Sequence, residues 1–260
     1  MIYLIISICS EKGGVGKTTS AINIAHSLVS LNKKVLVIDL DQQGNCSYSL
    51  GYSNDGKPTI AELIYNEVSG IHMINTIDTI RCNENGLEYI PASPLLTNIT
   101  SIISNDRDCN YVLKRCLNDD YFKKYDYIII DCRTLLDLLV ANAMNSSDGI
   151  IIPVEAGIYS YAGLEKMIDK VKSINKSTNP HLRILGILLN KQQRTIVGAS
   201  ISDTIRQDYS NLTFKTTIPY CPAQVEKSII NQCSCVQDKS SSLGKAFMEL
   251  SREIVSKTEI

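Results

Sequence analysis

Residues 11–19, Glu11-Lys12-Gly13-Gly14-Val15-Gly16-Lys17-Thr18-Thr19, put three glycines, two lysines and two threonine hydroxyls between an apolar run and a helical pattern. Glycines let a chain bend tightly enough to bring backbone N–H groups up to phosphate oxygens, and a helix opening at Lys17 adds the positive end of its dipole. In that setting Lys17 reaches the β- and γ-phosphates of a nucleotide, and the Thr18 hydroxyl is placed for Mg2+. Downstream, Asp39 and Asp41 close one apolar run and Asp131 closes another. Carboxylates facing a triphosphate are unfavourable unless a cation lies between them, so these positions point to Mg2+. A strand-end cap accounts for one of Asp39 and Asp41, not for both. The chemistry that fits is phosphoryl transfer, which asks a protein mainly for positioning and neutralisation of charge.

These residues need a scaffold, and the hydrophobic pattern supplies one. Short runs rich in Ile, Leu and Val at Ile2–Cys9, Val35–Asp39, Leu87–Pro91, Tyr127–Asp131, Gly149–Val154 and Leu182–Leu189 do not alternate cleanly, as expected of strands buried on both faces. Helical stripes lie between them. Lys17 to Ser30 lines up Ile22, Ala25, Leu28 and Val29, and Tyr161 to Ile174 lines up Leu164, Met167, Ile168, Val171 and Ile174. Alternation of strand and helix predicts an α/β fold: a doubly wound, mostly parallel sheet with helices on both faces, three layers in all. No repeat or linker divides the chain, so residues 1–260 are expected to form a single domain.

Bulk properties narrow the class. At 260 residues, 44% apolar and 20% charged, the chain has the composition of an ordinary globular protein, which excludes intrinsic disorder, collagen and coiled coil. Folding at this size buries roughly three-quarters of the unfolded surface, so no disulfide or structural metal is needed. The nine cysteines are odd in number and scattered among apolar residues, which predicts free thiols in a reducing cytoplasm. The run Ile2–Ile6 is too short for a membrane span or a signal-peptide core. Net charge is −1, yet residues 165–194 carry seven basic side chains (Lys166, Lys170, Lys172, Lys176, Arg183, Lys191, Arg194) against Glu165 and Asp169. Such a stretch is either a solvated helix face or a nucleic-acid patch. The last amphipathic stretch, Leu243 to Lys257, has a polar face whose charges balance. That favours core packing over an anionic membrane.

The 11–19 segment departs from the usual phosphate loop, which has Gly where this chain has Glu11, and it adds Lys12 five residues before Lys17. In this it resembles the ParA/MinD family of ATPases with a deviant Walker A motif, whose extra lysine is the signature. The resemblance continues in Asp39-Leu40-Asp41-Gln42-Gln43-Gly44-Asn45, similar to the family's second motif, and in Tyr127–Asp131-Cys132, which looks like its Walker B strand. Asn142-Ala143, Asp148-Gly149, Ile152-Pro153-Val154, Leu188-Leu189-Asn190-Lys191 and Ile218-Pro219 follow at the family's spacing, with the ParA/Soj branch the best match.

The resemblance implies a P-loop NTPase fold and an ATPase that is slow and partner-stimulated. It also implies ATP and Mg2+ as cofactors, an ATP-dependent homodimer, non-specific DNA as ligand, a ParB-like partner, and plasmid or chromosome partitioning in the cytoplasm on the nucleoid. Residue by residue, Lys12, Gly13, Gly14, Val15, Gly16, Lys17, Thr18, Thr19, Asn190 and Pro219 would hold the nucleotide. Thr18, Asp39 and Asp131 would serve Mg2+, and Lys12, Lys17 and Asp41 would act in catalysis. Lys12 would reach the partner's nucleotide, Gly13 would admit the close approach of the two chains, and Asp41 would orient the attacking water. Asn190 would read adenine, since Asn190-Lys191-Gln192-Gln193 lacks the final Asp of a guanine motif. Lys166, Lys170 and Arg194 would contact DNA.

Two departures stand out. Arg133-Thr134 replaces the family's Pro-Pro, which predicts a less preorganised loop in which Arg133 is either solvated or paired with a carboxylate, or else makes an extra phosphate or interface contact. Tyr220 stands where the family often has arginine. The rival expectations are a MinD-like membrane-positioning ATPase, disfavoured by the balanced polar face, and an ATP-binding switch with little hydrolysis. An iron–sulfur relative is disfavoured by the Cys233-Ser234-Cys235 spacing.

Overall fold

The computed structural model describes residues 3–71, 73–157, 160–193 and 195–259. In chain order the elements begin with β1 (Leu4–Ile8), α1 (Lys17–Ser30), β2 (Val35–Asp39), α2 (Asn45–Ser49) and α3 (Ile60–Ser69). Next come β3 (Arg81–Cys82), β4 (Glu88–Ile90), α4 (Ile99–Ser104), α5 (Val112–Cys116), β5 (Tyr127–Asp131) and α6 (Leu138–Ser146). The chain ends with β6 (Gly149–Glu155), α7 (Ser160–Ser177), β7 (Arg183–Asn190), α8 (Ile196–Asp208), α9 (Pro222–Ile230) and α10 (Ser242–Thr258).

The seven strands form one sheet in the order β3-β4-β2-β5-β1-β6-β7. Every pair is parallel except β3 with β4, which is antiparallel. β3 is a two-residue edge strand that the hydrophobic pattern does not announce, because Arg81 and the exposed Cys82 bury no apolar side chain.

Strand residues alternate between two cores. Leu36, Ile38, Ile128 and Ile130 face one core, while Val35, Val37, Tyr127 and Ile129 face the other. Both sides are apolar, which is why these strands read as continuous hydrophobic runs. α3 to α7 cover the first face. On the second lie α1 and α10, with Leu243, Phe247, Leu250 and Ile254 of α10 buried. The C-terminal helix therefore spends its apolar face on the protein's own core. Among the described residues no helix is long and apolar enough to cross a membrane, and none of the nine cysteines is in a disulfide.

The topology places the chemistry. β1 lies between β5 and β6, and the chain leaves it by α1 toward β2, on the far side of β5. The crevice beyond the carboxyl ends of strands at such a reversal is where open α/β sheets bind ligands. The segments after β1, β2, β5 and β7 all open into it.

Candidate nucleotide site

Residues 9–16 form the loop between β1 and α1. Gly14 and Gly16 adopt φ of 75° and 87°, in the left-handed region that glycine enters without penalty. Gly16 has a second constraint, since a Cβ there would lie 2.5 Å from Asn190 Nδ2. No side chain caps the start of α1, so its first N–H groups remain free for an anion. Gly13 differs from both, with open space where a Cβ would go and no positive φ. Nothing within the chain itself demands glycine at that position.

A cavity of about 500 Å3 opens over this loop and is lined by Gly14, Gly16, Lys17, Thr18, Thr19, Asp41, Asn190 and Pro219 among others. Eight of the residues singled out from the sequence thus meet at one place. Val15 is buried beneath the loop. Lys12 is exposed and is not among the residues that line the cavity; its ammonium is 4.0 Å from where a Cβ on Gly157 would stand, and it makes no hydrogen bond or ion pair among the described residues.

The ionisable groups form a tight set. Lys17 is 9% exposed and its Nζ donates to Thr134 Oγ1 at 3.1 Å. The Thr18 hydroxyl donates to Asp131 Oδ2 at 2.7 Å. Asp131 is buried at the end of β5, and its Oδ1 has no hydrogen-bond partner. Asp39, equally buried, accepts from the Asp41 N–H at 3.0 Å, the Ser47 N–H at 2.9 Å and the Ser47 hydroxyl at 2.7 Å. Burial pushes the Asp39 carboxyl up to about 6 against those three donors, with the Asp41 charge adding to the rise. Asp131 is held well above the ordinary carboxylate range, first by burial and then by the charge of Asp39, with the Thr18 hydroxyl and Lys17 opposing.

Two buried acids in this state suit a divalent cation. A Mg2+ ion at the Thr18 hydroxyl would supply the missing positive charge, and the unpartnered Asp131 oxygen is free to accept from water in its coordination shell. No three His, Cys, Asp or Glu side chains converge as a metal cluster among the described residues. The donor set fits a cation held chiefly by phosphate oxygens and water, the manner of Mg2+.

The loop after Asp131 resolves the alternatives for Arg133. Its guanidinium is 6% exposed, is paired with Asp137, and donates to Thr100 Oγ1 at 2.8 Å and Gln42 Oε1 at 3.2 Å. The carboxylate-paired arrangement is the one present, and Arg133 does not line the cavity. Side-chain bonds to α4, the Gln42 turn and the Asp137 cap of α6 hold the loop where the family's prolines would have stiffened it.

Asn190 ends β7 with its Nδ2 donating to the Val15 carbonyl at 2.7 Å and its Oδ1 accepting from the Lys191 N–H at 2.9 Å. Its first duty is to the loop: Nδ2 also donates to Ser20 Oγ at 3.5 Å, and one lone pair of Oδ1 is left for a base edge. Tyr48, Tyr220, Cys221 and Cys233 also line the cavity. Lys166 is exposed and Lys170 half-buried on α7, and neither belongs to the cavity. Arg194 lies outside the described residues.

Three functional side chains escaped the sequence reading. Ser47 holds Asp39 from eight residues away, and no local pattern marks it. Thr134 supports Lys17 from a position where proline was expected. Lys191 was visible as one cation of the basic stretch and as the neighbour of Asn190, not as a partner of the loop, yet its Nζ donates to the Gly14 carbonyl at 2.5 Å.

A model of the AAA domain family matches residues 3–184. The chain is similar to the sporulation initiation inhibitor protein Soj of Bacillus subtilis, 31% identical over 252 residues that cover 96% of this chain and 97% of Soj. It is also similar to the chromosome partitioning protein ParA of Myxococcus xanthus, 30% identical over 253 residues, 96% of this chain and 87% of that protein. In fold it resembles a variant of Cyanothece McdA in complex with ATP, with a TM-score of 0.85, 23% identity, and coverage of 98% of this chain and 96% of that one. A seven-stranded sheet with the signature-lysine loop at its reversal point, and identity to Soj along nearly the whole of both chains, have one common account: the chain belongs to the ParA/Soj-type partition ATPases of the deviant Walker A family.

Proposed function

We propose that the chain is an ATPase that binds ATP with Mg2+, dimerises around the nucleotide, and as the ATP dimer binds DNA without sequence preference in plasmid or chromosome partitioning. Residues 1–260 act as one domain in this reading, in the cytoplasm and on the nucleoid, with a ParB-like partner stimulating turnover. The observation that carries it is the convergence of Lys17, Thr18 and Asp41 on one cavity backed by buried Asp39 and Asp131, with Lys12 exposed outside it.

Each residue then has a role its geometry allows. Backbone N–H groups of the loop and the start of α1 hold the β-phosphate, and Lys17 exchanges Thr134 for the β- and γ-oxygens. Mg2+ supplies neutralisation of the β- and γ-oxygens when bound. The Thr18 hydroxyl would hold it, and Asp39 and Asp131 would accept hydrogen bonds from water bound to it. Asp41 lies half-buried at the cavity wall, its Oδ1 bonded to the Gln43 N–H at 3.0 Å, and its other oxygen orients the attacking water. Lys12 neutralises charge on the partner's nucleotide. Pro219 and the residual hydrogen-bonding capacity of Asn190 take the adenine.

DNA retention tests the reading. Asp41→Ala, expected to slow hydrolysis, should retain duplex DNA at low salt with ATP and lose it with ADP or no nucleotide. Lys166→Ala with Lys170→Ala in that background should flatten the log–log salt slope by about 0.9 for each phosphate no longer neutralised. Retention indifferent to nucleotide would remove DNA from the account.

A further inference from the structure

We propose that Lys191 is a positioning residue that, together with Asn190, sets the direction in which the phosphate loop presents its N–H groups. The inference rests on the nucleotide reading of the cavity and adds to it a residue that the family motifs leave without a role.

Two consecutive carbonyls of the loop are tied from the end of β7. Gly14 O accepts from Lys191 Nζ at 2.5 Å, and Val15 O accepts from Asn190 Nδ2 at 2.7 Å. In a trans peptide the C=O and the following N–H point in opposite directions. Fixing the Gly14 carbonyl toward β7 therefore turns the Val15 N–H away from it, and fixing the Val15 carbonyl does the same for the Gly16 N–H. These are the amides a phosphate would meet.

The backbone is bent to make this contact. Lys191 has φ of 51°, a left-handed conformation uncommon for a side chain of its kind, and its N–H is closed on Asn190 Oδ1 at 2.9 Å. The bend returns the lysine stem over the loop, where a Cβ on Gly16 would stand 3.9 Å from its Cε. Lys191 also lines the cavity, so the clamp stands at the wall of the proposed nucleotide site.

Three chains distinguish this role: wild type, Lys191→Met, which keeps the stem and loses the donor, and Lys191→Arg, which keeps donor and charge. Calorimetry with ADP and the amide NMR resonances of Val15 and Gly16 in the nucleotide-free protein are the readouts. Loss of a hydrogen bond from a charged donor should cost Lys191→Met about tenfold in ADP affinity. Its Val15 and Gly16 amides should shift while thermal unfolding without nucleotide stays near wild type, and Lys191→Arg should recover both readouts. Affinity within twofold of wild type in Lys191→Met overturns the clamp. So does a loss of affinity with both amides unmoved, which would make Lys191 a direct phosphate ligand, and so does a variant that fails to fold. If wild type itself does not bind ADP, the nucleotide reading fails instead, and unmoved amides in Lys191→Met would overturn the clamp independently.

Discussion

Lys17 is nearly buried, hydrogen-bonded to a neutral hydroxyl, and close enough to Asp131 to oppose the rise in that carboxyl's pKa. A charge held this way gains much from a phosphate and loses little by leaving Thr134. Lys17→Ala removes two charge-assisted bonds of about 1.5–3 kcal/mol each, so ATP affinity should fall by ~100-fold or more in calorimetry. The paired acids behind it make a prediction with a definite sign. Burial raises the folded-state pKa of Asp39 from 3.8 to about 6, so the folded chain holds a proton there that the unfolded chain has released. The stabilisation is full below pH 4 and is lost as pH rises through about 6, on the order of 3 kcal/mol at most. Urea unfolding of the nucleotide-free protein should show wild type losing stability relative to Asp39→Asn between pH 4 and 7. A difference that stays constant with pH would mean that Asp39 is ionised throughout.

At the scale of elements, most of what positions the site can be read from hydrophobic pattern. The stripe of Ile22, Ala25 and Leu28 and the glycines before it delimit α1 as Lys17–Ser30, the bounds the structure has. β2 and β5 likewise begin and end where their apolar runs do, because a central parallel strand is apolar on both faces. The edge strand β3 and the short helices α2, α4 and α5 carry no such signal. They are two to six residues long, and tertiary packing rather than period places them. The Asp131 loop shows the limit most clearly. Motif comparison marks Arg133-Thr134 as an anomaly, whereas Asp137, which holds Arg133 and caps α6, lies four residues on in a segment with no motif. Asp137→Ala removes a helix cap and leaves a buried guanidinium without its carboxylate, and should destabilise the fold by about 3 kcal/mol in urea unfolding. Arg133→Met in the same background should restore part of it. No recovery would mean that the cap alone matters.

For the molecule as a whole, the described basic residues between 165 and 193 are divided among α7, β7 and the turn after β7. Lys172 is 3.7 Å from Asp169, Lys191 is turned to the Gly14 carbonyl, and Arg183 opens β7, which leaves Lys166, Lys170 and Lys176 as the other described cations of the stretch, all on α7. A sparse patch on a chain of net charge −1 gains most by doubling, so DNA affinity and dimerisation belong together in the proposal. Lys12 and Gly13 point the same way. One is an exposed cation with no bond among the described residues, the other an exposed glycine with open space where a Cβ would go.

Light scattering of Asp41→Ala with saturating ATP and Mg2+ therefore tests the central claim most directly. The mass should be twice the 28.8 kDa of one chain with ATP and fall back to one chain with ADP, and Lys12→Ala in the same background should stay single under both. A single-chain mass for Asp41→Ala at saturating ATP would contradict the account.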